Sequence, residues 1–334
     1  MTKSPKLYLA PFQGITGAVY RETYVKHFPW VDKLYTPFFT SIYKQKSLDI
    51  KGKELIQTHH NGKKVVPQIL SKDPEEIIRF TKFCEDRGFS EINWNLGCPY
   101  PRVANKNRGS GMLPYPEMIE KILEKVIPEI GIDFSIKCRL GYHSPDEILT
   151  IIPIFNQYRI FELSIHARIG KQLYCGDVDL EYFDKALNLS NIPVVYNGDI
   201  FTAQDYRKMS NRFKMVSSWM IGRGLLIDPF LPGDIKKISL PTNNEREARV
   251  RQFVEDLYLL YRKSKNDNLH AISVMKELWS NLAYSFDKPV KVFNFIKKTK
   301  SFDAYENAVK MVFNDFEWVG ADGKKFRKNS ENLD

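Results

Sequence analysis

The residues of this chain best suited to chemistry gather around one cysteine. In the stretch EINWNLGCPYP, residues 91–101, apolar and polar positions alternate and then give way to Cys98, pinned between Gly97 and Pro99. A structural thiol would sit more naturally inside the alternating run than just past its end. A free thiol has a pKa near ~8.5, so at neutral pH it keeps its proton and can act as a general acid, unless a nearby cation turns it into a nucleophilic thiolate. A nucleophilic cysteine needs a histidine partner, and His166 is the candidate. General acid, nucleophile and inert small residue all stay open on the residues alone. Cys84 and Cys138 read as core, and Cys175 lies in the polar loop IGKQLYCGD. No C-x-x-C pairing links the four cysteines, so no metal site is expected. His59 and His60 have no acid or thiol at ligand spacing and read as loop residues.

Other chemistry-bearing residues recur at the ends of apolar runs. Lys137 and Arg139 flank Cys138, so both cations face one side of a strand end and the thiol the other. Cations buried in such a place are costly unless an anion or an electron-rich ligand meets them, which favours ligand contact. Asn197-Gly198-Asp199 and Gly222-Arg223-Gly224 read as an oxyanion grip. Their glycines let backbone N–H groups approach a phosphate, and Arg223 adds a full charge. Either motif alone is equally well explained as a tight turn.

These positions fall at the ends of β-rich runs at 6–11, 32–38, 64–69, 90–95, 133–139, 160–166, 192–197 and 215–222. Helical patterns separate most of them: 73–88, which opens on Asp-Pro and stops at Gly88, then 116–127, 144–157 and 202–210. The segment 40–62 has no regular pattern. This alternation over about 230 residues predicts an α/β (β/α)8 TIM barrel, whose working residues gather at the C-terminal strand ends. A doubly wound sheet would carry G-x-G-x-x-G after its first strand, where this chain has APFQGIT. In such barrels the loops after the seventh and eighth strands often bind phosphate, and the two glycine motifs occupy those places. Beyond about residue 241 the runs 245–265, 270–286 and 288–313 are helical without strand alternation. Residues 1–240 are therefore expected to form the barrel and 241–334 a helical bundle, with the polar 321–334 frayed at the end.

The formal net charge of +10 fits a polyanionic partner such as nucleic acid, anionic lipid or a phosphorylated ligand, and fits a lysine-rich solvated face as well. The N-terminal stretch has no apolar run of signal-peptide length and no segment reaches the length of a membrane span, so a cytoplasmic protein with reduced thiols is expected.

Taken together, APFQGIT, NWNLGCP followed by RGSGML, IKCRLG, HAR, YNGDI and MIGRG resemble the tRNA-dihydrouridine synthases in order and spacing. MKELWSNL in the helical part resembles that family's tRNA-binding bundle, so the resemblance covers nearly the whole chain. It implies an FMN-containing (β/α)8 barrel that reduces the C5–C6 double bond of particular uridines in tRNA. NADPH reduces the flavin, flavin N5 gives a hydride to C6, and the loop cysteine, here Cys98, protonates C5. It also implies that Pro11, Phe12, Gln13, Gln68, Lys137, His166, Asn197, Gly198, Asp199, Gly222 and Arg223 hold FMN, and that Asn95, Arg139 and Tyr174 hold the flipped uracil. Three positions depart from the family pattern: Phe12 replaces methionine, Gly17 replaces an aspartate and Met112 replaces an alanine. The lysine-rich 291–300 is a candidate tRNA contact, with a solvated helix face equally weighted. A monomer with no obligate protein partner and no membrane association is expected. The competing readings are an FMN barrel oxidoreductase acting on a small pyrimidine or enone, and a tRNA-binding protein with vestigial flavin chemistry.

Overall fold

Alternation of side chains across each strand separates two environments, and the sheet closes on itself to use both. The computed structural model describes residues 4–42, 54–55, 59–238, 242–264 and 268–321. Its strands are β1 (Lys6–Leu9), β2 (Lys33–Phe39), β3 (His59–His60), β4 (Lys63–Ile69), β5 (Glu91–Leu96), β6 (Asp133–Gly141), β7 (Glu162–Ile169), β8 (Val194–Asn197) and β9 (Ser218–Ile221). All but β3 pair in parallel in the order β2-β1-β9-β8-β7-β6-β5-β4, and a β2–β4 pairing closes the ring. Each strand predicted from the sequence is present, with ends shifted by one to three residues. The exception to expectation is His59–His60, read as loop, which forms the short antiparallel strand β3 against β4 and buries His60.

The main hydrophobic core lies outside the ring, between strands and helices. Inside it, only Tyr8, Ala10, Tyr35, Val66, Val195 and Met220 form an apolar cluster. The remaining inward positions are polar. At the bottom, Lys33 Nζ lies 3.0 Å from Glu91 Oε2 and 2.9 Å from Glu162 Oε2, and Lys64 Nζ lies 2.9 Å from Glu91. Burial alone would lower the Lys33 pKa, but Glu91 and Glu162 outweigh it and leave the pKa raised, so the buried lysine stays charged.

Local signals explain the helices. Pro74–Glu85 starts with Pro74 after Asp73, whose carboxylate accepts from Glu75 N at 3.0 Å. Ala203–Arg212 starts with a Thr202/Asp205 capping box. Helix Ala18–His27 shows no amphipathic stripe in the sequence because it is covered on two sides. Tyr20, Tyr24 and Val25 are all buried, and Phe28 just beyond its end meets Phe253 of the later helix Asn243–Ser264 edge to face at 5.2 Å.

After the barrel the described chain is helical: Asn243–Ser264, Asn268–Leu282, Pro289–Lys297 and Phe302–Asp315. The run 288–313 is two helices, because the Ser301 hydroxyl caps a new N-terminus by accepting from Ala304 N at 3.2 Å. The expected boundary at 240/241 and the polar stretch after residue 321 lie outside the described residues.

Two of the three departures have a structural answer. Met112 is fully buried in the core. Gly17 is the N-cap of helix Ala18–His27 and has no side chain to close it; the Glu54 carboxylate arrives from elsewhere and accepts from Ala18 N at 2.7 Å. A Cβ on Gly17 would lie 3.5 Å from Glu54 Oε2. Glu54→Ala is therefore expected to lower stability by about 1 kcal/mol, the worth of a lost cap. Gly17→Asp should restore it in that background and give no gain in the wild type, where two carboxylates would meet. Urea midpoints of the four proteins check this.

Candidate active site

The C-terminal ends of the strands surround a cavity of roughly 300 Å³. Every site residue singled out from the sequence lines it. Pro11, Phe12 and Gln13 follow β1, Gln68 is on β4, Asn95 on β5 and Cys98 just after it. Lys137 and Arg139 are on β6, His166 on β7 and Tyr174 in the loop beyond. Asn197, Gly198 and Asp199 end β8, and Gly222 and Arg223 follow β9.

The Cys98 loop is held from three directions. Asn95 Oδ1 accepts from Gly97 N at 3.0 Å and Cys98 N at 2.9 Å, so the asparagine side chain folds the backbone into a turn. Arg139 Nε donates to Gly97 O at 3.0 Å. Ser110 donates to Cys98 O twice, from N at 3.0 Å and from Oγ at 3.1 Å. This last contact explains the G-S-G motif downstream. Gly109 has φ 56° and a Cβ there would sit 2.6 Å from Cys98 O, so neither the backbone angle nor the space admits a side chain.

Asn95 is in turn held by Gln68, donating to its Oε1 at 2.7 Å; Gln68 donates to Asn93 at 2.8 Å and Asn93 to Ser135 at 3.0 Å. Ser135 Oγ donates to Glu91 at 2.8 Å, which joins this chain to the ion cluster at the barrel bottom. Asn95 and Gln68, both assigned to ligands by resemblance, thus spend part of their hydrogen-bonding capacity on each other.

The electrostatics favour an acid over a nucleophile. Burial pushes the Cys98 thiol up, and Arg139, Arg102 and Lys137 offset this only in part. Burial, with Arg139, Lys137, Arg168 and Arg223, holds His166 well below its ordinary value and therefore neutral. Its Nε2 lies 3.4 Å from Arg168 Nη1. A protonated thiol and a neutral imidazole are not a thiolate–imidazolium pair.

Burial first, then Arg139, brings Lys137 down to about 8, and burial brings Arg139 down to about 10. Arg168 of the HAR motif is buried, grips Asp199 with two bonds of 2.8 and 2.6 Å and also donates to the Gly176 carbonyl. Arg223 Nη2 reaches the same carboxylate at 3.0 Å, and its guanidinium sits 4.9 Å from the Tyr174 ring centre. One carboxylate thus holds two arginines, of which Arg223 lines the cavity.

The residues present fit a phosphate-bearing flavin. Gly198 has φ 145° and a Cβ there would meet Val178 at 2.8 Å, so the β8 end is a bare-backbone cradle beside the arginines. Lys137, Arg139 and Arg223 outnumber Asp199 along the cavity wall, and Asp199 is also paired with Arg168, which leaves positive charge for a phosphate and an electron-rich ring to balance.

The sequence missed Glu277 and Asn281, which line the cavity from helix Asn268–Leu282 of the helical part. Their spacing puts them on one helix face, but nothing in the sequence says which barrel opening that face meets. Tyr100 also lines the mouth, two residues beyond Cys98. Gly109→Ala is expected to cut turnover by about a hundredfold through displacement of the Cys98 loop, with bound flavin per protein unchanged. Rapid-quench rates and flavin absorbance separate the two effects.

A family model for dihydrouridine synthase (Dus) matches residues 8–312. The tRNA-dihydrouridine synthase B of Pasteurella multocida is 27% identical over 268 residues, covering 78% of this chain and 80% of that protein. The tRNA-dihydrouridine(16) synthase of Neisseria meningitidis serogroup B is 25% identical over 319 residues, covering 92% and 95%. Among solved structures, the old yellow enzyme homologue of Zymomonas mobilis superposes with a TM-score of 0.52 at 10% identity, covering 71% of this chain and 90% of that one. Histamine dehydrogenase from Rhizobium sp. 4-9 does so with a TM-score of 0.54 at 11% identity, covering 82% and 49%. At such identities these two likenesses bear on the barrel fold alone. The motifs around Cys98, the cavity at the strand ends and a family match over most of its length lead to one conclusion: this chain belongs to the dihydrouridine synthase family.

Proposed function

We propose that Cys98 is the proton donor in reduction of the C5–C6 double bond of a uridine in tRNA, with the cavity holding FMN below it and NADPH as reductant. The observation that carries this reading is a thiol kept protonated by burial at the lip of a cationic cavity. FMN, when bound, supplies the hydride. The chain supplies the rest. Asp199, itself anchored by Arg168, holds Arg223 in place for the phosphate, and Lys137 offers a cation to electron-rich ring atoms. Neutral His166 offers a hydrogen bond without adding charge. Asn95, Arg139 and Tyr174 surround the place left for the uracil, and the remaining N–H of the Asn95 amide is available to a carbonyl of the base.

Reduction leaves negative charge spread between C5 and the carbonyl oxygens, and Cys98 Sγ–H delivers its proton to C5. The S–H bond breaks as the C5–H bond forms, and the thiolate is reprotonated from solvent. The uridine must leave its stack to reach this depth. Residues 1–240 act as the catalytic barrel and 241–334 as the tRNA-gripping part in this reading. Helix Asn268–Leu282 supports it by contributing to the cavity wall, which a barrel acting on a small molecule has no need of. The surplus of basic residues suits tRNA phosphates.

A monomer without an obligate protein partner belongs to this reading. Among the described residues no helix is long and apolar enough to cross a membrane. A cytoplasmic location follows from where tRNA is modified.

Mapping dihydrouridine in tRNA with and without the protein tests the function. Cys98→Ala should abolish product while NADPH still bleaches the flavin and tRNA still binds; full dihydrouridine formation by this variant removes the assigned acid. Because the thiol must carry its proton and its pKa is raised, kcat should hold through neutral pH and fall only as pH rises above ~8.5. Single-turnover rates across pH check the sign, and a fall that begins in the acid range contradicts it.

A further inference from the structure

We propose that the mouth of the cavity carries a second nucleobase subsite, in which the base next to the target uridine stacks on the Tyr100 ring. The inference rests on the tRNA reading above.

Tyr100 is 47% exposed, a large ring turned to solvent at the lip of the cavity. It is not a loose surface residue. Pro99 and Pro101 flank it and restrict the backbone on both sides. Its carbonyl accepts from Val103 N at 2.8 Å and Ala104 N at 2.9 Å, so it caps the turn of helix Pro101–Ala104. Among the described residues no aromatic ring packs on it, and its one cation neighbour is Arg102, 5.9 Å from the ring centre. A rigid pedestal that exposes an aromatic ring beside a base-accepting cavity has the makeup of a stacking platform, and a guanidinium 5.9 Å from the ring centre suits the phosphate that joins two nucleotides.

A second element supplies hydrogen bonds. Glu277 and Asn281 reach the same mouth from helix Asn268–Leu282, one an acceptor and the other an amide that both donates and accepts. A base on Tyr100 therefore has polar groups along its edge. Burial raises the Tyr100 phenol, and Tyr174, Cys98 and Glu277 add to the rise, which places the ring within electrostatic reach of the proposed uracil site and of helix Asn268–Leu282 together.

The test uses full-length protein with FMN and a tRNA transcript lacking dihydrouridine. Tyr100→Ala should raise KM for tRNA about tenfold or more, while kcat at saturation and NADPH-driven flavin reduction stay within about twofold. Tyr100→Phe and Tyr100→Trp should keep KM within about threefold, since both preserve the face. A transcript with an abasic nucleotide beside the mapped target should lose a similar factor with wild-type protein and little more with Tyr100→Ala, the non-additivity of two halves of one contact. An unchanged KM in Tyr100→Ala overturns the subsite, as does full additivity for abasic nucleotides on both sides of the target. So does a loss confined to flavin reduction, which would assign the ring to the reductant. Absence of dihydrouridine from the wild-type reaction itself would overturn the tRNA reading, a failure distinct from these.

Discussion

Lys137, Arg139 and Arg223 share one barrel mouth, Arg168 is buried behind its wall, and the buried carboxylate that meets Arg168 and Arg223 is Asp199. Cations taken out of water at this density repel one another and lose hydration, a cost visible in the downward push on Lys137, Arg139 and Arg223 alike. Such a constellation persists in a fold only when an anionic or electron-rich ligand restores the balance. The same field has two effects on the groups that handle protons. It keeps His166 neutral, and it only partly offsets the burial that holds Cys98 in its thiol form. Ligand choice and acid chemistry thus follow from one distribution of charge.

The barrel interior serves this mouth. Where many barrels of this class fill their centre with branched apolar side chains, this one carries a hydrogen-bonded chain from the Cys98 loop through Asn95, Gln68, Asn93 and Ser135 to Glu91. Glu91 belongs to the Lys33–Glu162 cluster at the base. Every member is held by the next, so no single amide can turn without leaving a buried group unsatisfied, at a cost of about 1–3 kcal/mol. That rigidity keeps the thiol fixed relative to the cavity floor. A proton donor gains little from an optimal pKa if its position wanders by an ångström.

The helical part completes the mouth as well as extending the surface. Its helix Asn243–Ser264 packs aromatic rings on helix Ala18–His27, which anchors it to the barrel, and the next helix then brings Glu277 and Asn281 to the cavity. Barrel and helical part therefore wall the cavity together through one packed interface. The departures from the family pattern are absorbed locally: Glu54 caps the helix that Gly17 leaves open, and Met112 fills core.

Much of this was readable from the residues. Short β-rich runs separated by helical patterns located each barrel strand, and the rim residues followed from the strand ends. Cys98 between glycine and proline, with G-S-G beyond it, marked the working loop. Other features depended on three dimensions. Helix Ala18–His27 was invisible because burial on two sides erases the stripe on which helix recognition relies. The thiol stayed undecided among acid, nucleophile and spectator, since its protonation is set by desolvation and by cations from β6 and from helix Pro101–Ala104. Arg168 gains its partner only where the fold brings Asp199 to it, and Glu277 could join the cavity only through helix packing. Sequence by itself determined the elements and the local chemistry of each, because these depend on neighbours along the chain; tertiary structure alone decided protonation and partnership, because both arise from groups that the chain brings together only when folded.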